Sequence, residues 1–333
     1  MSVKEDNMEK RFGKNVVAVC LTCMLFVGAA SVLVADVDDQ FTDWSAPVNL
    51  GPPVNSEFNE AGSFITKNGL SLYFNSNRPG GFGGLDIYVL QRASVDDPWG
   101  PPQNLGPTIN SSSDDQTPTV SLDGHRLYFA SARPGGFGAL DIYVSLRHDQ
   151  SDDFGWGPPV NLGAGVNTSV PELGPAPFED DETGTITLYF SRDAIGVRDI
   201  YASTLDANGS FGPATPVAEL NTLFDDARPA IRRDGLELFF DSNRPGSLCC
   251  LDGETVPRLD IWVSTRASTS DPWSPPVNVT AVNSTALDAR PALSFDGRSL
   301  YFHSGRPGGF GGNDIYVSTR EKLPGDDNDG DDD

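Results

Sequence analysis

"RPGGFGGLDIYV" occupies residues 78–89, and near copies follow as "RPGGFGALDIYV" at 133–144 and "RPGGFGGNDIYV" at 306–317. A glycine-laden loop written three times, always ahead of Asp-Ile-Tyr-Val, belongs either to a reaction centre or to a repeated structural unit. The flanking sequence favours the unit. An aromatic run precedes each loop, "LYF" at Leu72, Leu127, Leu188 and Leu300 and "LFF" at Leu238. "DIY" or "DIW" closes five copies at Asp86, Asp141, Asp199, Asp260 and Asp314. Each copy opens on an aromatic residue followed by prolines, at Trp44, Trp99, Trp156, Phe211 and Trp273, spaced 55, 57, 55 and 62 residues apart. Five copies at that spacing define a repeat architecture.

Asn68-Gly69, Asp123-Gly124, Asp234-Gly235 and Asp296-Gly297 stand just before aromatic runs. Such pairs make two-residue hairpin turns, because both positions tolerate positive φ. Each copy therefore reads as a first strand, a hairpin, an aromatic second strand, the glycine loop, a "DIYV" third strand and an outer "PVN" strand. Helical periodicity is nearly absent beyond the N-terminal segment. Four antiparallel strands repeated radially describe a propeller blade. The repeats open on an outer strand near Trp44 and end on a third strand near Asp314, so the first segment can complete the last blade and hide the open edge. The expectation is an all-β, five-bladed propeller over residues 44–320, closed by its N-terminal strand.

The pattern "DGxxLYFxSxRPGGFGGxDIYVS", with "WxxPVNLGxxVN" between copies, resembles the WD-repeat-like β-propeller repeats of the TolB type found in exported bacterial proteins. The resemblance covers about residues 44–320, with five copies here against six in TolB itself. It implies a periplasmic or secreted, non-enzymatic binding or scaffold module that engages a protein, peptide or envelope polymer.

The N-terminal segment agrees with export. Lys10, Arg11 and Lys14 precede an uncharged run from Val16 to Ala35, and small residues near Ala29 and Ala30 suit a signal peptidase. Residues 1–35 read as a signal peptide, with an uncleaved anchor as the alternative and the sole expected link to a membrane. Residues 36–43 read as a linker. The formal charge of −24 repels nucleic acid and anionic lipid headgroups. Cys249 and Cys250 are adjacent beyond the signal, which reads as a strained vicinal disulfide or two unreactive thiols. The tail, residues 321–333, ends in "DDNDGDDD" and reads as solvated and disordered. A monomer is expected.

The recurring charges are the candidate site. Every copy places an acid near the start of its first strand: Glu60, Asp115, Glu172, Asp226 and Asp288. Innermost strands line a propeller's channel, so these acids would ring one mouth, there to bind calcium or a basic ligand or to brace the blades. Every copy also carries an arginine after its aromatic strand: Arg78, Arg133, Arg192, Arg244 and Arg306. Bidentate pairing of acid and arginine is the structural reading. No catalytic residue and no cofactor is assigned, calcium excepted as an open possibility. His125, His148 and His303 lack metal-ligand spacing. The alternative function is a glycosidase-like enzyme with carboxylates in the central channel, which would need acids that differ between blades. Residues 171–187 and 246–259 are the most irregular stretches and the expected partner surface.

Overall fold

A computed structural model describes residues 41–194, 196–248 and 258–323. The export segment, the cysteine pair and most of the acidic tail lie outside the described residues. Strand β1 (Val48–Asn49) is followed by blade 1, formed of β2 (Glu60–Ile65), β3 (Ser71–Ser76), β4 (Asp86–Gln91) and β5 (Gln103–Asn104). Blade 2 holds β6 (Asp115–Val120), β7 (Arg126–Ser131), β8 (Asp141–Leu146) and β9 (Val160–Asn161). Blade 3 holds β10 (Glu172–Glu179), β11 (Ile186–Ala194), β12 (Val197–Thr204) and β13 (Thr215–Pro216). Blade 4 holds β14 (Asp226–Ile231), β15 (Glu237–Ser242), β16 (Asp260–Thr265) and β17 (Val277–Asn278). Blade 5 has β18 (Asp288–Leu293), β19 (Ser299–Ser304) and β20 (Asp314–Thr319), and β1 supplies its outer strand.

Each blade is a four-stranded antiparallel sheet in sequence order, except that blade 5 reads β1-β20-β19-β18. The closure pairs Val48 with Val317 and Asn49 with Tyr316. Outer strands are two residues long in every blade. Their weight is carried instead by a paired-asparagine clasp. In blade 5, Asn55 donates to the Ile315 carbonyl and accepts from the Ile315 N–H, while its amide also donates to Asn49 Oδ1. Asn110 and Asn167 repeat this in blades 1 and 2.

The aromatic second strands are buried on both faces because blades pack face to face. Five apolar clusters sit one at each blade interface; between blades 1 and 2, for instance, Tyr73 and Val89 meet Leu127, Phe129 and Tyr143. The glycine loops fit between them. A Cβ added at Gly81 would overlap the Asp86 carboxylate, and one at Gly83 would overlap the Ser113 carbonyl of blade 2. Gly136 and Gly138 meet Asp141 and the Thr168 carbonyl likewise, and Gly309 and Gly311 meet Asp314 and the Phe58 carbonyl. The "DIY" aspartates organise the same loops by accepting backbone N–H groups: Asp86 from Phe82, Asp141 from Phe137 and Asp314 from Phe310. Blade 3 lacks Pro-Gly-Gly, and there β11 and β12 simply continue into a tight hairpin, pairing through Ala194 and Val197.

Candidate functional site

The five expected ring acids are fully buried. Each meets the arginine of its own blade at 2.5–2.9 Å: Glu60 with Arg78, Asp115 with Arg133, Glu172 with Arg192, Asp226 with Arg244 and Asp288 with Arg306. The acid starts the first strand and the arginine follows the second, so antiparallel pairing brings residues 18–20 apart side by side. Each acid also accepts a backbone N–H four residues upstream, as Glu60 does from Ser56 and Asp288 from Ser284. Each arginine donates a further bond to a carbonyl, Val54 in blade 1 and Val282 in blade 5, and lies over blade aromatics. Burial raises the Glu172 pKa, with Thr168 and Arg192 opposing. These carboxylates have their acceptor positions occupied and face into the blades, so they are not displayed to the channel. Among the described residues no group of three or more His, Cys, Asp or Glu is placed to hold a metal ion.

A second arginine set went unnoticed in the sequence. Arg92, Arg147, Arg266 and Arg320 follow the third strands and donate to the hairpin carbonyls of Gly69, Gly124, Gly235 and Gly297. They lie 4.2–4.5 Å from the centroids of Trp99, Trp156, Trp273 and Trp44. These contacts explain the tryptophan that opens four of the five repeats. Blade 3, with Phe211 ahead of its outer strand in place of tryptophan, has Leu205 where the others have arginine. The signal was available as an arginine six residues after the "DIY" or "DIW" aspartate in four of the five copies.

The channel itself is lined by the first strands, all of which bulge two residues past the ring acid. The bulge residues Gly62, Thr117, Gly174, Arg228 and Arg290 all have φ between 51° and 66°. Three of the five are not glycine, a costly choice in the left-handed region. Arg228 forks onto Asp241 with two bonds of 2.8 Å. Arg290 donates its backbone N–H to Asp241 and its guanidinium to the neutral oxygens of Asn75 and Gln116. Burial first and Arg228 next bring the Arg290 pKa down to about 9. Burial and the same two arginines push His303 well below the usual histidine range.

One turn of chain further along, the channel opens at the hairpin end. Seven residues beyond each ring acid the five blades place Lys67, Leu122, Glu179, Arg233 and Phe295 around this mouth. No two are alike, and one is a carboxylic acid. Lys67 Nζ lies 4.6 Å and the Arg233 guanidinium 5.1 Å from the Phe295 ring centroid. Arg233 also meets Asp181 at 2.6 Å. Glu179 accepts a 3.2 Å bond from the Leu122 N–H of blade 2. Its pKa is raised by burial and then by neighbouring Asp123. Asp123 is lowered: burial opposes, but the Ser121 hydroxyl, the His125 N–H and Arg126 outweigh it. Two adjacent carboxyl groups are thus driven in opposite directions, one toward the acid and one toward the carboxylate. Sequence comparison between copies passes over this ring because its members share no residue type.

No protein-family model and no curated protein sequence matches the chain. Solved structures do, and glycoside hydrolases are among those it is similar to. The catalytic domain of a Coprinopsis cinerea GH62 α-L-arabinofuranosidase superposes with a TM-score of 0.56 at 13% identity, over 85% of this chain and 98% of that one. An α-L-arabinofuranosidase from Lactobacillus brevis gives 0.54 at 13% identity, over 81% and 92%. An endo-arabinase from Bacteroides thetaiotaomicron gives 0.53 at 19% identity, over 84% and 99%. At such identities the likeness establishes a shared five-bladed propeller fold. It corrects the resemblance to TolB-type and WD-repeat proteins, since the structural relatives are hydrolase propellers. It likewise corrects the expectation of a non-enzymatic binding and scaffold module drawn from that resemblance.

Proposed function

We propose that the chain is a carbohydrate-active enzyme that hydrolyses a polysaccharide at the hairpin mouth of its channel. The observation that carries this reading is the mouth ring, where Glu179 alone is acidic and sits beside a carboxylate of opposite pKa tendency. Glycoside hydrolysis needs that division of labour between two carboxyl groups. Glu179, whose pKa is raised by burial and by Asp123, is the acid that gives its proton to the glycosidic oxygen as the carbon–oxygen bond breaks. Asp123, kept ionised, takes a proton from the attacking water, and solvent exchange restores both groups. Phe295 and Phe64, which lines the same mouth from blade 1, offer apolar faces for sugar rings, while Lys67 and Arg233 can donate to hydroxyls.

The substrate class follows the structural relatives, whose subjects include arabinofuranosidases, an endo-arabinase and complexes with xylotriose and cellotriose. Their likeness supports a polysaccharide as the partner, and the N-terminal segment supports placement outside the cytoplasm. The test is release of reducing ends from arabinan, arabinoxylan, xylotriose and cellotriose. Glu179→Gln should lower kcat by about 100-fold or more while oligosaccharide binding persists. Absence of product from every polymer, or undiminished turnover by Glu179→Gln, removes the reading.

A further inference from the structure

We infer that the floor of the channel is an anion site, with Arg290 and Arg228 as its cationic walls and a halide- or carboxylate-sized anion as its ligand. The inference rests on charge balance in a buried place and is independent of the reaction proposed above. Three ionised groups meet where the first strands bulge: Arg228, Arg290 and Asp241. The single carboxylate is taken up by the fork of Arg228, at 2.8 Å through both nitrogens. Arg290 reaches that carboxylate only through its backbone N–H, and its guanidinium is held by two neutral amide oxygens. Its Nε is buried with no hydrogen-bond partner among the described residues, as is Nδ1 of nearby His303. His303 adds no negative charge; Arg198, the next charged group acting on Arg290, is another cation, and Asp225, which acts on Arg228, is matched by its pairing with that Arg198 at 3.7 Å. The cluster therefore carries a surplus positive charge where Arg228, Asp241 and His303 are buried and Arg290 is half-buried. A cation so placed is expensive unless a counter-charge is supplied.

Space for the counter-charge exists. A cavity of about 110 Å³ is bounded by both arginines together with Gly62, Thr117 and Gly174, the other bulge residues. Its remaining walls are mostly proline and aliphatic side chains, so the two arginines are the only cationic residues that border it. Backbone conformation adds a second argument. Blades 1 and 3 use glycine at the bulge, the residue that holds φ near 60° without penalty. Blades 4 and 5 place arginine there at φ 51° and 55°, against the local preference. Glycine alone would meet the backbone requirement, so each arginine is there for its side chain, Arg228 for its fork onto Asp241 and Arg290 for its reach across the channel to Asn75 and Gln116.

The ligand chemistry has two sources, a free ion from solution or the carboxylate of an acidic sugar entering from the hairpin mouth. Thermal unfolding of the full chain would be followed in chloride-free buffer with added chloride, bromide, formate, glucuronate or trigalacturonate. Sodium morpholinoethanesulfonate, whose charged group is larger than a carboxylate, matches ionic strength. A saturable rise in Tm with chloride, bromide and formate beyond that with the sulfonate is the expected result. Competition of trigalacturonate against bromide would assign the source to an acidic glycan; no response to the uronates would assign it to free ions. Arg290→Gly is the variant of choice, since the same chain folds with glycine at this position twice, and it should erase the anion response. In bromide-soaked crystals an anomalous peak is expected within ~3.5 Å of Arg290 Nε. Superimposable melting curves at matched ionic strength, an unchanged response in Arg290→Gly, or a bromide map empty at Arg290 would each overturn the site.

Discussion

Asp260 shows how one loop change alters a residue's chemistry. Its counterparts Asp86, Asp141 and Asp314 each accept two N–H groups from their glycine loops. In blade 4 the loop departs from that sequence, and Asp260 accepts from Leu248 N–H and the Asn278 amide on one oxygen while the other is buried without a partner among the described residues. Burial, with a smaller push from Asp288, raises its pKa to about 6 against 3.8. The folded state thus binds this proton more tightly than the unfolded chain does. Its contribution to stability is complete below about pH 4 and declines as pH rises to about 6, by on the order of 3 kcal/mol. Asp260→Asn, always neutral, should lack that component. Unfolding free energies measured from pH 4 to pH 7 should therefore converge on the wild type at the acid end and exceed it at neutrality. Parallel curves would place the pH dependence elsewhere.

At the scale of the element, the repeat is legible where one residue type does the same task five times. Asp-Gly and Asn-Gly pairs marked the hairpins, and the aromatic triplets marked strands buried on both faces. The glycine loop was visible as a motif, yet the two atoms that forbid a side chain there, the Asp86 carboxylate and the Ser113 carbonyl, are brought in by folding. Ring acid and arginine were both legible, and their pairing within a blade was one of two readings until strand register set them side by side. The mouth ring was illegible because Lys67, Leu122, Glu179, Arg233 and Phe295 share nothing but position. Gly80 and Gly83 separate the two requirements within one loop. Gly80 has φ 93° with open space around it, whereas Gly83 faces backbone of the next blade that cannot step aside. Gly80→Ala should cost about 1 kcal/mol, the ordinary penalty of the left-handed region, and Gly83→Ala about 2–4 kcal/mol, as overpacking at an interface does. Denaturant melts of the two variants decide it, and equal losses would mean that the blade contact at Gly83 yields readily.

For the whole molecule the decisive contact is the one that joins its ends. Every other blade is complete within a continuous stretch of chain, but blade 5 borrows β1 from more than 260 residues away. The join consists of more than its two paired residues. Asn49 donates to Asp314 at 2.8 Å, Asn55 clasps both backbone groups of Ile315, and Ser318 donates to the Ser45 carbonyl. Trp44 packs edge-on to Phe239 of blade 4 and takes Arg320 on its face, so the closing segment touches two blades. Arg320 in turn meets Glu237 of blade 4, where Arg232 also arrives at 2.9 Å. Breaking the join would expose the edge of β20 and open the interface between blades 4 and 5 together. Asn55→Ala removes the clasp with little loss of volume, leaving Ile315 N–H and carbonyl buried and unmatched at about 1–3 kcal/mol. Asn110→Ala removes the equivalent clasp in blade 1, where β4 and β5 are already joined along the chain. The two should lose similar stability at equilibrium. Hydrogen exchange should tell them apart: Asn55→Ala should speed exchange along β20 and in blade 4, and Asn110→Ala should leave both protected. Matching exchange patterns in the two variants would show that ring closure is no weaker than any other blade's outer edge.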